Sequence, residues 1–149
     1  MYPSLKPTQR AAIVGVINPQ SATTVQSTGW VDASKFQNYL ATVGVGAISA
    51  SGTVDAKLQQ ATDSSGTGAK DITGKAITQL TQAGTNSNSQ AQINLRQDEL
   101  DIANGFCFVR LGITPAAAAA LIYGQIEGVD PRYGPADLAA ATSVVQIVA

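Results

Sequence analysis

Alternation of apolar and polar residues between Gly52 and Gly84 is the feature that most constrains what this chain can fold into. Val54, Ala56 and Leu58 share one side of the pattern, and polar residues separate them. Because successive side chains of a strand point to opposite faces, a period of two predicts a half-buried strand. Glycines and small polar residues at 63–68 predict a turn. A second apolar run follows, with Ile72, Ala76, Ile77 and Leu80. Two strands that face one core, joined by a polar loop, are therefore expected.

Further strands are predicted on both sides of this stretch, at a spacing of roughly 8–14 residues. The first is expected to end at Asn18-Pro19, and Gly44 and Gly46 inside another indicate a bulge or a close approach of another backbone. Five alanines at 116–120 are too few for a stable isolated helix, so a short turn is expected there, and a brief helix at 136–141. The strand-like runs are residues 11–17, 23–28, 39–48, 91–95, 106–114, 121–126 and 143–148. About eight antiparallel strands are typical of an all-β jelly roll or β-sandwich.

Prolines at positions 3 and 7 distinguish the beginning of the chain. Proline cannot donate to a sheet ladder, so residues 1–10 are predicted to form an extended N-terminal arm. Residues 11–149 have the length of a single β-sandwich domain. An arm of this kind has little to bury within its own domain and is suited to contact a neighbour. Its candidate interface residues are Tyr2, Pro3 and Leu5.

Composition argues against several classes of function. The chain has no histidine and one cysteine, so the commonest general base and metal ligand is missing and an internal disulfide is impossible. Its net charge of −1 and its scattered lysines and arginines give no basic field for nucleic acid or anionic lipid. The first residues lack the pattern of a signal peptide, so use without secretion is expected. We expect a protein that is not an enzyme and has no cofactor, nucleic-acid partner or membrane contact.

Three local features could in principle form a phosphate-binding, calcium-binding or reactive thiol site. The loop Gly66 to Lys70 lacks the spacing, the following Ser or Thr and the helix of a phosphate loop. Asp98, Glu99 and Asp101 have a spacing that fits no known calcium loop, and carboxylates often cap turns. Cys107 lies between phenylalanines and is interpreted as a small buried hydrophobic residue. No catalytic or metal-binding residue is predicted.

Trp30, Arg132 and Tyr133 complete the candidate interface residues. Trp30 is interpreted as a core or interface anchor, with a stacking platform for a sugar or base as the alternative. The loop from Asp130 to Pro135 is stiffened by two prolines, and Arg and Tyr are enriched at protein interfaces. The alternative is that Arg132 pairs with Asp130 or Glu127 while Tyr133 packs under its own sheet.

Three segments resemble a family of small proteins that tailed bacteriophages encode beside the major capsid protein. They are DAKLQQATDSSGTGAKDITGKAITQLTQAG, QAQINLRQDELDIANGFCFVRLGIT and DPRYGP. The resemblance covers residues 30–148, and it departs from the family pattern at the alanine run 116–120. Members of known role are capsid cement (decoration) proteins with a jelly-roll fold that sit as dimers on the outside of the shell.

This resemblance implies a structural virion protein that is made in the host bacterial cytoplasm and binds the outer surface of the capsid. Its implied partners are the major capsid protein, whose subunit contacts it would stabilise, and a second copy in a homodimer. An alternative is a head-fibre or tail-associated lectin-like sandwich that binds host surface glycan. A metal-dependent hydrolase on a jelly roll is disfavoured by the lack of histidine.

Overall fold

A computed structural model describes residues 4–148 and consists of two antiparallel sheets packed face to face. One helical turn, α1 (Pro7–Arg10), precedes the strands. The strands are β1 (Ala11–Ala22), β2 (Gln26–Ser27), β3 (Val31–Asp32), β4 (Phe36–Ile48), β5 (Thr53–Ala61), β6 (Lys70–Ala76), β7 (Leu80–Thr81), β8 (Ser89–Arg96), β9 (Phe108–Ala116) and β10 (Ala120–Pro131). Short 3-10 helices occur at Gln97–Glu99, Ile102–Asn104 and Ala136–Ala139.

The strand order is that of a jelly roll, as predicted. The first sheet runs β1-β10-β4-β8, and the second runs β2-β9-β5-β6, with β3 on β9 and β7 on β5. The chain moves repeatedly between the two sheets, so neighbouring strands within a sheet are distant in sequence. One consequence is that residues far apart in the chain meet on the same sheet face.

The core lies between the sheets and follows the alternation seen in the sequence. Val54, Ala56 and Leu58 are buried on β5, and Ile72 is buried on β6. The loop at 62–69 between these strands is largely exposed. The predicted pair of strands facing one core is therefore confirmed for β5 and Ile72, whereas Ala76 is exposed and the second run is divided into β6 and β7. The largest fully buried side chains elsewhere include Phe36, Val43, Leu95, Val109, Leu111, Ile113 and Ile126.

Strand β1 does not end at Asn18-Pro19 as predicted. It continues to Ala22, and its register with β10 shifts between Ile17 and Gln20. Two residues of β1 oppose one of β10 there, which is a bulge. A bulge accommodates proline because it interrupts the ladder that proline cannot join. The bulge predicted near Gly44 and Gly46 is confirmed, since the β4–β10 register shifts between Val45 and Ile48.

The beginning of the chain is helical where an extended arm was predicted. Pro7 opens α1, a position where its missing N–H is not needed. The backbone N–H of Lys6 donates to Oε1 of Gln9 (2.9 Å), and the N–H of Gln9 donates to the Lys6 carbonyl (2.9 Å). This local pair closes one helical turn, so the prediction for residues 7–10 is wrong.

The strand predicted at 143–148 does not form. The N–H of Ala141 donates to the carbonyl of Ile13 on β1 (2.7 Å), and a turn then follows at 142–143. Residues 144–148 carry no strand assignment. Their β-branched composition favours a strand, but a strand requires a pairing partner and this segment has none within residues 4–148. The brief helix predicted at 136–141 is present as the 3-10 helix Ala136–Ala139.

Candidate interaction surface

The predicted interface residues lie in two places. Leu5, Arg132 and Tyr133 lie near the edge of the first sheet, where both ends of the chain meet. Trp30 lies on the outer face of the second sheet, beside Arg110 of β9. Tyr2 and Pro3 lie outside the described residues. The structure therefore brings two of the sequence-predicted segments together and separates the third.

A groove of about 660 Å3 lies between the N-terminal segment and the loop after β10. Leu5, Pro131 and Pro135 line it, together with Arg10 and Arg132. Its volume lies in the range of sites that accept a small ligand or a few side chains of a partner. The two segments proposed from sequence as interface elements thus form the walls of one concave site.

The loop Asp130–Pro135 is held to the first sheet by three hydrogen bonds. Asn38 Nδ2 donates to Oδ2 of Asp130 (3.0 Å), and the backbone N–H of Arg132 donates to the Lys35 carbonyl (2.9 Å). The Arg132 side chain donates to Oε1 of Gln97. Arg132 therefore does not form the ion pair with Asp130 or Glu127 that was weighed as an alternative.

Apolar side chains are exposed along the end of the chain. Four large apolar residues between positions 133 and 148 are more exposed than any other in the part of the chain that the structure describes. They are Tyr133 (89%), Leu138 (83%), Val145 (92%) and Val148 (85%). Tyr133 does not pack under its own sheet, so that alternative is wrong.

The C-terminal part of the described chain lies beside its N-terminal segment. The 3-10 helix Ala136–Ala139 contacts both α1 and β1. Val144 and Ile147 line a small cavity with Thr8 and Ile13. We call residues 5–10 together with 130–148 the terminal face. It contains the groove and the exposed apolar side chains just described.

Trp30 is neither in the core nor isolated. Its ring centre lies 4.5 Å from the guanidinium carbon of Arg110, which donates to Oε1 of Gln59 (3.0 and 2.8 Å). Gln59 in turn donates to Oδ1 of Asp71 (2.8 Å), whose other oxygen pairs with Lys57 (2.7 Å). Bonds from Lys57 and then Gln59 hold the pKa of Asp71 below its ordinary value. A row of polar side chains therefore extends from the indole across the outer face of the second sheet.

This row is the group that sequence inspection missed. Its members come from the β2–β3 connection, β5, β6 and β9, which the jelly roll makes neighbours. The alternation of β5 predicts which of its residues face outward. Their partners on β6 and β9 depend on the register of strand pairing, which the alternation does not give. Phe106 and Phe108, the phenylalanines that flank Cys107, are likewise only partly buried.

Asp98, Glu99 and Asp101, which were considered as calcium ligands, each pair with a different cation. Asp98 pairs with Arg96 (2.9 Å), Glu99 with Lys75 (2.9 Å), and Asp101 with Lys70 (2.5 Å). The Arg96 backbone N–H and then Lys75 lower the pKa of Glu99, and Lys70 and then Asn104 lower that of Asp101. Within residues 4–148 no three acidic, cysteine or histidine side chains are grouped to hold a metal ion. These carboxylates fasten the 97–104 segment to its surroundings.

The loop Gly66–Lys70 leads directly into β6. Oδ1 of Asp63 accepts the N–H groups of Ser65 (2.9 Å) and Thr67 (3.0 Å), and Thr67 and then Ser65 lower the pKa of Asp63. The N–H groups of Gly66, Thr67 and Ala69 are thus already bonded within the loop. Cys107 is half-buried, with Sγ 3.8 Å from the Thr62 carbonyl oxygen.

Comparison with known proteins gives no family assignment. Neither protein-family models nor curated protein sequences match this chain.

No helix formed by residues 4–148 has both the length and the apolar character needed to cross a membrane.

Proposed function

We propose that the protein is a structural component of a tailed-phage virion. In this role it is a capsid cement protein that binds the outer surface of the head as a dimer and stabilises contacts between major capsid protein subunits. The observation that carries the proposal is the exposed apolar terminal face, with Tyr133, Leu138, Val145 and Val148 each more than four-fifths exposed. Several large apolar side chains so exposed within one segment of a small domain favour a protein-binding site. The resemblance of residues 30–148 to capsid-associated proteins supplies the kind of partner.

The geometry suits attachment to a lattice. Burying the apolar side chains of the terminal face against a neighbour contributes roughly 25 cal/mol for each Å2 removed from water. The loop Asp130–Pro135 is already held by Asn38 and Lys35, so little ordering entropy opposes its binding. Because a shell presents the same site many times, a modest free energy for each copy stabilises the whole particle.

The test is co-sedimentation with capsids assembled without this protein. We expect the wild-type chain to sediment with the shells, and the variant Tyr133→Ala/Val145→Ser/Val148→Ser to lose at least about tenfold in affinity, or 1.4 kcal/mol. The variant should keep its melting temperature because the three side chains are exposed. Val25→Ser is the matched control, since Val25 is also exposed but lies outside the terminal face. Absent wild-type binding, or full binding by the triple variant, would contradict the proposal.

One observation favours a second function, the lectin-like sandwich. Trp30 lies beside Arg110, with Gln59 and Asp71 continuing the row, and an indole beside polar side chains can stack on a sugar ring. Trp30→Ala with unchanged folding but lost retention on immobilised host polysaccharide would support this function. Retention equal to the wild type, or none by either protein, would leave the cement role as the proposal.

A further inference from the structure

We infer that the groove of the terminal face receives an acidic segment of the partner protein. The inference rests on the proposed role of the terminal face as an interface, and it adds the chemistry of the segment bound there. It depends on which cations of the molecule already have partners, on what lines the groove, and on the position of Asp130.

The nine lysines and arginines fall into three groups by their polar partners. Lys57, Lys70, Lys75 and Arg96 each lie within 3 Å of a carboxylate oxygen, and Arg110 bonds to Gln59 beneath Trp30. Lys6, Arg10, Lys35 and Arg132 form no ion pair with any residue of the described range 4–148.

Two of these four cations line the groove, and the other two are neighbours of the segments that form it. Arg10 and Arg132 line it, Lys6 follows its apolar residue Leu5, and the carbonyl of Lys35 accepts the backbone N–H of Arg132. Four of the other five cations are paired with carboxylates, whereas Arg10 and Arg132 line one groove and form no ion pair within residues 4–148. An incoming carboxylate would find guanidinium groups whose acidic partners are not supplied by residues 4–148.

The shape and lining of the groove favour a peptide over other anions. Leu5, Pro131 and Pro135 supply apolar walls between the two arginines, which suits a segment carrying an apolar side chain among carboxylates. Nucleic acid would require a basic stripe along many phosphates, and the chain as a whole has a net charge of −1. Guanidinium groups bind carboxylates through paired hydrogen bonds, which gives orientation as well as attraction.

Asp130 provides a control in which the expected effect on peptide affinity is opposite to that of removing the arginines. Its carboxylate lines the groove and accepts a hydrogen bond from Asn38 (3.0 Å), and its φ of +56° is a conformation that asparagine adopts readily. Asp130→Asn should therefore preserve the loop while removing a charge that repels an acidic segment. A purely structural role of the groove would not make this substitution improve binding.

The direct experiment titrates the full chain with the synthetic peptide Glu-Glu-Leu-Glu-Glu, followed by amide chemical shifts. We expect shifts confined to the groove residues and no shifts with the Gln-Gln-Leu-Gln-Gln analogue. Arg10→Gln/Arg132→Gln should weaken binding at least tenfold, and Asp130→Asn should tighten it about twofold to fivefold. Lys57→Gln/Lys75→Gln, which removes the same charge from elsewhere, should leave it near the wild-type value. Equal binding of both peptides, or an unaffected arginine variant, would overturn the inference.

Capsid co-sedimentation separates this inference from the proposed function. If the inference holds, Arg10→Gln/Arg132→Gln attaches more weakly and the loss is largest at low ionic strength, where charges are least screened. If that variant attaches normally while the apolar triple variant does not, the inference of an acidic partner segment is wrong and the proposed cement function stands. If no form of the protein attaches, the cement function is wrong, and the peptide titration alone decides what the groove binds.

Discussion

Gly66 packs against the indole of Trp30 so closely that a Cβ on Gly66 would lie 2.5 Å from Nε1 of the ring. The glycine also has a φ of +85°, which residues with a side chain rarely adopt. Together these facts fix the loop between β5 and β6 against the outer row of the second sheet. The absence of a side chain at position 66 is what lets the indole lie there.

Gly66→Ala is expected to destabilise the fold through both effects. Positive φ costs about 1–2 kcal/mol in an alanine, and the clash with Trp30 adds to it. Gly74→Ala is the matched control, because Gly74 has a φ of +75° with open space around its Cβ position. Urea unfolding of both variants isolates the clash. Equal losses would show that the indole moves aside freely, and the fluorescence of this single tryptophan would then shift.

Phe36→Ala should cost about 3–5 kcal/mol in unfolding free energy, because Phe36 is fully buried and contacts the ring of Tyr39 edge-on. Trp30→Ala should cost only about 1–2 kcal/mol, since the indole is half-buried outside the core. If Trp30 were a core anchor, the substitution would also cost about 3–5 kcal/mol in unfolding free energy. Chemical denaturation of the two variants measures both losses of unfolding free energy. A larger loss for Trp30→Ala than for Phe36→Ala would contradict the prediction.

Tyr39 should make the fold sensitive to high pH. Burial, more than any charge, raises the pKa of its hydroxyl to about 12, and the hydroxyl donates to the Asp32 carbonyl while accepting the Phe36 N–H. Because the folded pKa lies above the unfolded one, the contribution to stability is complete below about pH 10 and is lost as pH rises towards 12. Urea midpoints from pH 9 to 12 should fall more steeply for the wild type than for Tyr39→Phe. Parallel curves would refute this role of Tyr39.

Deleting residues 2–9 should lower the melting temperature by only a few degrees. No residue of α1 is buried, and its capping hydrogen bonds are local. The same deletion removes Leu5 from the groove and should weaken attachment to capsids. Differential scanning calorimetry measures the first effect and co-sedimentation the second. Loss of the folding transition would place the segment in the core.

Much of the fold was predictable because burial imposes a period of two on each strand. Val54, Ala56 and Leu58 illustrate this, as does the alternation of Val109, Leu111 and Ile113 on β9. The failures have a different cause. Residues 144–148 have strand composition without a partner, and Pro7 opens a helical turn through a bond that Gln9 makes locally. Propensity does not specify whether a pairing edge is available.

The site was predictable only in part. Leu5 and Arg132 could be proposed from proline-rich, aromatic-bearing segments, but their convergence on one groove depends on β1 pairing with β10. The row that joins Trp30 to Arg110 and Gln59 depends on β5 pairing with β9, where Gln59 faces Arg110. Both relationships are long-range, and a single sequence carries no signal of register between strands so far apart.

The hydrogen bond from Ala141 to Ile13 bears on how copies of this molecule can assemble. The first sheet has two edges, and the C-terminal segment lies against the one formed by β1. The other edge, β8, is open and carries the exposed polar side chains of Gln92 and Asn94. Two molecules that join their first sheets edge to edge along β8 use the same strand on both sides, and the C-terminal segment obstructs part of the remaining edge at β1. Such a pair has twofold symmetry and closes at two copies through β8, and further growth through β1 would have to displace the C-terminal segment.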